Sequence, residues 1–177
     1  MITFTHHSIL SLKDLFPALA EVAQDAMQKD PDECMAELAV YARRGADCVL
    51  AYDAGALIGY SLYGPFEKFH SWQRLIPLKI HLGLKGIRAV HVAHHLYLRR
   101  AYWDTGTHLA IIREYSRALI ETGAQWYLIW AANDAAAQYS IAKPGSYPLV
   151  GFETPRGVQM GLRDLEEYFQ VTAPEAS

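Results

Sequence analysis

The stretch from Arg88 to Leu119, RAVHVAHHLYLRRAYWDTGTHLAIIREYSRAL, constrains the fold more than any other part of the chain. Val90, Val92, Leu96 and Leu98 follow the period of two of a strand, whereas Leu109, Ile112, Tyr115 and Leu119 recur at the three-to-four spacing of an amphipathic helix. Between them lies Tyr102-Trp103-Asp104-Thr105-Gly106-Thr107-His108. A helix that starts directly after a glycine turn presents unpaired backbone N–H groups and the positive end of its dipole, which suits a phosphate or pyrophosphate. On this segment alone an ordinary strand-to-helix loop is the more economical reading, because one glycine specifies little.

A chain of 177 residues, 51% hydrophobic and 20% charged, is long enough for one well-buried core. The expectation is a single domain over residues 1–170, with an aromatic and basic insertion near 64–87 and a frayed tail over 171–177. The formal net charge of −3 and a pI near 6.2 provide no global basic field, so neither nucleic acid nor a membrane is expected as a partner. Lys79, Lys85, Arg88, Arg99 and Arg100 form a local cationic stretch, read as solvated charges. The start lacks a basic segment leading into a long apolar run, and no run of about eighteen apolar residues occurs, so a soluble, cytoplasmic protein is expected. Cys34 and Cys48 are too few for a disulfide framework and lack metal-ligand spacing, which predicts two reduced, partly buried thiols and no metal.

Along the chain, Ile2 to His6 reads as a strand. Ser11 is the expected N-cap of a helix through Met27, kinked near Pro17. Pro31 opens a second helix to Arg44, with Asp32 and Glu33 at its positive end, Arg43 and Arg44 at its negative end, and Gly45 as the stop. Cys48 to Asp53 and Ala56 to Tyr63 flank the turn Ala54-Gly55 as an antiparallel hairpin. After the strand-loop-helix junction, Gln125 to Trp130 reads as a buried strand, Asn133 caps a helix from Asp134 to about Ile141, and strands follow at Leu149–Phe152 and Val158–Leu162.

This order, together with CVLAYDAGALIGYSLYG, HHLYLRRAYWDTGTHLAIIREYSRAL and NDAAAQYSIAKPGSYPLVGFE, resembles the GNAT N-acetyltransferase superfamily over most of the chain. The resemblance implies an α+β, three-layer fold in which a central mixed, mostly antiparallel twisted sheet is flanked by helices. It also implies transfer of an acyl group, foremost acetyl, from acyl-coenzyme A to an amine. Of the family's glycine-rich pyrophosphate loop the chain keeps Gly106; Trp103, Asp104 and His108 stand at other positions of that pattern.

Carried residue by residue, the resemblance makes the backbone of Leu96, Tyr97 and Leu98 the partner of the pantetheine. Gly106, Thr107 and His108 become the pyrophosphate turn, and Asn133 a contact to the coenzyme arm. His94 stands on the strand where related members carry a histidine base; alternation puts His91 and His95 on the opposite face. The general acid is Tyr147, four residues before Gly151-Phe152, or Tyr139, spaced from Asn133. Phe66, Phe69 and Trp72 wall an acceptor pocket or cover core. A homodimer through the aromatic stretch is a further expectation. The alternatives are an inactive GNAT-like binding or regulatory module, or a divergent transferase using another donor or a nucleobase acceptor.

Overall fold

The computed structural model describes residues 1–69, 75–131, 133–154 and 156–172, and these fall into two compact units. The first comprises Met1–Gly64 and His94–Ala118, the second Pro65–Ala93 and Leu119–Ser177.

In the first unit, β1 (Ile2–Ser8) pairs antiparallel with β2 (Asp47–Asp53), setting Ile2 opposite Asp53 and Ser8 opposite Asp47. β2 pairs antiparallel with β3 (Ala56–Pro65), with a register shift between Ala51 and Tyr52. The turn between them places both Ala54 and Gly55 in the left-handed region, the twist that a two-residue hairpin requires. α2 (Pro31–Arg44) begins as its sequence dictates: the Asp30 carboxylate accepts from the N–H groups of Asp32 and Glu33, each at 3.0 Å, and Gly45 closes the helix at φ 70°.

α1 (Phe16–Met27) starts later than expected. Residues Ile9–Leu15 form a 3-10 segment, the Ser11 hydroxyl donates to the Ser8 carbonyl at 2.7 Å and caps nothing, and Pro17 lies in the first helical turn. A proline has no N–H to donate and its ring clashes with the preceding turn, so the α-helix begins at Phe16 with Pro17 in its first turn instead of kinking through it. Leu19, Val22, Ala23 and Ala26 then form the buried face.

β4 (Val90–Leu98) leads through a 3-10 turn, Arg100–Thr105, and Gly106 into α5 (Thr107–Glu121). Gly59 allows the close approach of β3 and β4: a Cβ there would lie 2.9 Å from the Tyr97 carbonyl oxygen and 3.1 Å from Ile111 of α5.

In the second unit, β4 pairs parallel with β5 (Trp126–Ile129) from Val90 opposite Trp126 to Val92 opposite Leu128. β5 and β6 (Ser146–Glu153) each run antiparallel to β7 (Gln159–Asp164). The sheet order is β1-β2-β3-β4-β5-β7-β6, an open, mixed and mostly antiparallel sheet flanked by helices. The stretch read as an insertion supplies α3 (Phe66–Phe69) and α4 (Ile76–Leu84). Phe66, Leu75, Leu78 and Leu82 pack with Val90, Val92, Leu128 and Leu162, so Phe66 is core and not a pocket wall. Trp72 lies outside the described residues.

α6 (Asp134–Ile141) is capped by Asn133, whose side-chain oxygen accepts from the Ala136 N–H at 2.9 Å. α7 (Leu165–Thr172) begins at a cap made by Asp164, which accepts from the Glu167 N–H at 3.0 Å. Residues 173–177 lie outside the described residues. No helix among the described residues is long and apolar enough to cross a membrane.

Candidate active site

The junction of strand, turn and helix holds a cavity of about 210 Å³ within the first unit, lined by Ala26 and Met27 of α1, Leu96 and Leu98 of β4, Trp103 and His108. Gly106 is left-handed at φ 76°, with nothing within 4 Å of where a Cβ would stand. Its carbonyl accepts from Leu109 and Ala110 at 3.0 and 3.3 Å, so α5 begins immediately after it. The N–H groups of Thr107 and His108 have no carbonyl one turn earlier in the helix to receive them. Thr107 is buried, and its hydroxyl lies 2.6 Å from that of Thr105. The Trp103 indole donates to the Leu98 carbonyl at 2.8 Å while nearly half its surface stays exposed.

Tyr97 points to the other face of β4, into a polar cluster that sequence reasoning missed. Glu37 of α2 holds it together. One carboxylate oxygen pairs with the Lys29 ammonium and the other lies 3.2 Å from His95 Nε2. The Tyr41 hydroxyl is also 3.2 Å from Nε2, and Lys29 donates to the Tyr97 hydroxyl at 3.4 Å. The His95 ring stacks on Tyr97 and meets Tyr41 edge-on. Beneath them, Tyr60 and Cys34 meet at 3.6 Å.

Burial raises a carboxyl, but hydrogen bonds and charge from His95 and Lys29 outweigh it and hold Glu37 at about 2. For Lys29 burial acts downward and is outweighed by Glu37 and Tyr97, so its ammonium is held above the ordinary lysine value. Burial pushes the Tyr41, Tyr60 and Tyr97 phenols up. With Nε2 facing Glu37 and Tyr41, the lone pair of a neutral His95 sits on Nδ1. That is the arrangement of a histidine base oriented by a carboxylate.

Two signals for this cluster exist in the sequence. Glu37 interrupts the apolar row Cys34, Leu38, Tyr41 of α2, and His95 alternates onto the face of Tyr97. The carboxylate and the histidine are 58 residues apart, and nothing local joins them.

The remaining expected residues are placed as follows. His94 lies on β4, and its side chain is outside the described residues. Tyr147, on β6, donates to Glu167 at 2.6 Å, which raises its phenol. Tyr139, on α6, is about half exposed, with the Lys143 ammonium 4.0 Å over its ring. Asn133 spends its side-chain oxygen on the cap of α6. No group of three metal-ligating side chains occurs among the described residues.

A hairpin, a neighbouring strand that pairs parallel with its next partner, and an apolar cavity where that strand turns through glycine into a helix are arranged as in one known fold. The chain has the GNAT acetyltransferase fold. A structure of a GNAT-family acetyltransferase from Staphylococcus aureus matches with TM-score 0.59 at 11% identity, covering 93% of this chain and 99% of that one. The ribosomal-protein alanine N-acetyltransferase of Escherichia coli matches with TM-score 0.58 at 13% identity over 100% and 99%. The PaiA N-acetyltransferase of Thermoplasma acidophilum, solved with coenzyme A, matches with TM-score 0.57 at 12% identity over 93% and 99%. No family model matches the sequence, and no curated protein aligns with it significantly.

Proposed function

We propose that this protein is an N-acyltransferase that moves an acyl group, foremost acetyl, from acyl-coenzyme A to an amine. The observation that carries the reading is the pairing of Glu37 on α2 with His95 on β4, the strand whose Leu96 and Leu98 line the cavity beside the start of α5. Coenzyme A bound to the Thermoplasma neighbour supports the choice of donor.

The pantetheine would add to β4 as an extra strand, using the backbone of Leu96 and Leu98, and the pyrophosphate would take the N–H groups of Gly106, Thr107 and His108. The Asn133 amide nitrogen would contact the coenzyme arm. An acceptor arrives as an ammonium and must lose a proton before it can attack. His95 Nδ1 takes that proton, and Glu37 holds the Nε2–H and faces the positive charge that the ring acquires. The neutral nitrogen then bonds to the thioester carbonyl carbon and gives up its surplus proton to solvent as the C–S bond breaks, and the thiolate leaves with its electron pair and is protonated. Tyr139 and Tyr147 are the phenols proposed for that last proton, and His94 is the alternative base.

One observation favours a second reading, a GNAT-fold binding module or a transferase with another donor or a nucleobase acceptor. The Trp103 indole already occupies the Leu98 carbonyl that the pantetheine would use.

Titration calorimetry with acetyl-coenzyme A separates the two readings. Micromolar binding that Gly106→Val abolishes is expected, and absence of binding up to millimolar donor moves the weight to the second reading. In an acceptor screen read by release of free coenzyme thiol, His95→Gln is expected to lower turnover by roughly 10² to 10⁴ while leaving donor affinity unchanged. His94→Gln with the larger effect would transfer the base to that residue; Tyr139→Phe and Tyr147→Phe separate the acids.

A further inference from the structure

α4 is apolar on two sides. Leu78 and Leu82 are buried in the core, whereas Ile76, Ile80 and Leu84, at a spacing of four, are 54%, 57% and 84% exposed. Such a row of three aliphatic side chains in water needs an explanation. Lys79, Lys85 and Arg88 are exposed beside it, and none of the three joins an ion pair among the described residues. The charge extends well past the helix: from Lys68 to Trp103 the sequence has seven Lys and Arg and no Asp or Glu. The rest of the chain sets nine Lys and Arg against nineteen Asp and Glu.

We propose that this face of α4 docks on an anionic lipid surface. Ile76, Ile80 and Leu84 would enter the boundary between headgroups and acyl chains, while the long stems of Lys79 and Lys85 carry their ammonium groups to the phosphates. Within the second unit no Asp or Glu stands between Lys68 and Ala93, as complementarity to a negative surface requires. A second copy is a poorer occupant, because two-fold pairing of α4 with itself sets Lys79 and Lys85 against their own like charges. Nucleic acid is poorer too, since the row is aliphatic and offers bases no ring to stack on. The inference does not depend on acyl transfer.

The test is co-sedimentation of the full chain with vesicles of phosphatidylcholine alone, and with vesicles in which about one third of the lipid is phosphatidylglycerol. Binding to the anionic vesicles only, weakened by salt, is expected. Ile80→Ser with Leu84→Ser, and separately Lys79→Glu with Lys85→Glu, should each reduce the bound fraction at least about tenfold. All four side chains are exposed, and an unchanged circular dichroism spectrum shows that the variants fold. No binding, equal binding to both vesicles, or binding that neither pair alters overturns the proposal. A dimer in light scattering that the serine pair dissolves overturns it in favour of a second copy.

Discussion

Glu37 is a half-buried carboxylate on α2 whose value is held well down against the upward pull of burial. Lys29 and His95 keep it so, and the consequence can be read in stability against pH. Its folded value near 2 lies below the value of about 4.3 for a free glutamate side chain. Between those values the unfolded chain binds more protons than the folded one, so this contribution to stability is complete above the unfolded value and is lost as pH falls toward 2. Urea unfolding of Glu37→Gln at neutral pH should show a loss of the order of 1 to 3 kcal/mol, because Lys29 and His95 lose their acceptor. The variant should also lose less than the native chain on going to pH 3; an equal acid dependence would remove Glu37 from this role. At this scale the sequence was partly legible. Alternation puts His94 and His95 on opposite faces of β4, yet which face meets a carboxylate is decided by the packing of α2, which no local pattern encodes.

Elements were most legible where a single residue punctuates the backbone. Asp30, Gly45, Asn133 and the Ala54-Gly55 turn each do what their chemistry predicts. Elements whose faces compete were not. α4 has aliphatic side chains both inward and outward, so no clean period marks it. α7 opens on the capping bond from the Glu167 N–H to Asp164, but its eight residues are too short for a helical period to stand out in the sequence. The first helix starts later than its sequence suggests, because Ser11 has the chemistry of a cap while Pro17 sets the stronger boundary. Gly59 leaves no room for a Cβ, which lets β3 lie against β4 and α5. Gly59→Ala must push on a backbone oxygen that cannot rotate away, and a loss of about 1 to 3 kcal/mol in urea unfolding is expected. A neutral result would mean that β3 and β4 can separate without cost.

Across the whole molecule, the fold survives at 11–13% identity to the neighbours described above because it is written in patterns and not in particular residues. The hairpin, the alternating strand and the amphipathic helix after glycine fix the order of elements. The chemistry of the site depends on distant pairs and was correspondingly harder to read. Both cysteines are buried, 1% and 0% exposed; burial raises Cys34 and pushes Cys48 up to about 12. Neither thiol has the thiolate or the access that disulfide exchange needs. An aromatic disulfide reagent should therefore titrate neither in the native protein and both in urea. The molecule then needs no cysteine removed before it is labelled. A single cysteine introduced at an exposed position such as Lys13 of the first unit or Lys85 of the second would be its one reactive thiol, and the pair would carry the spin labels or fluorophores that measure the distance between the two units in solution.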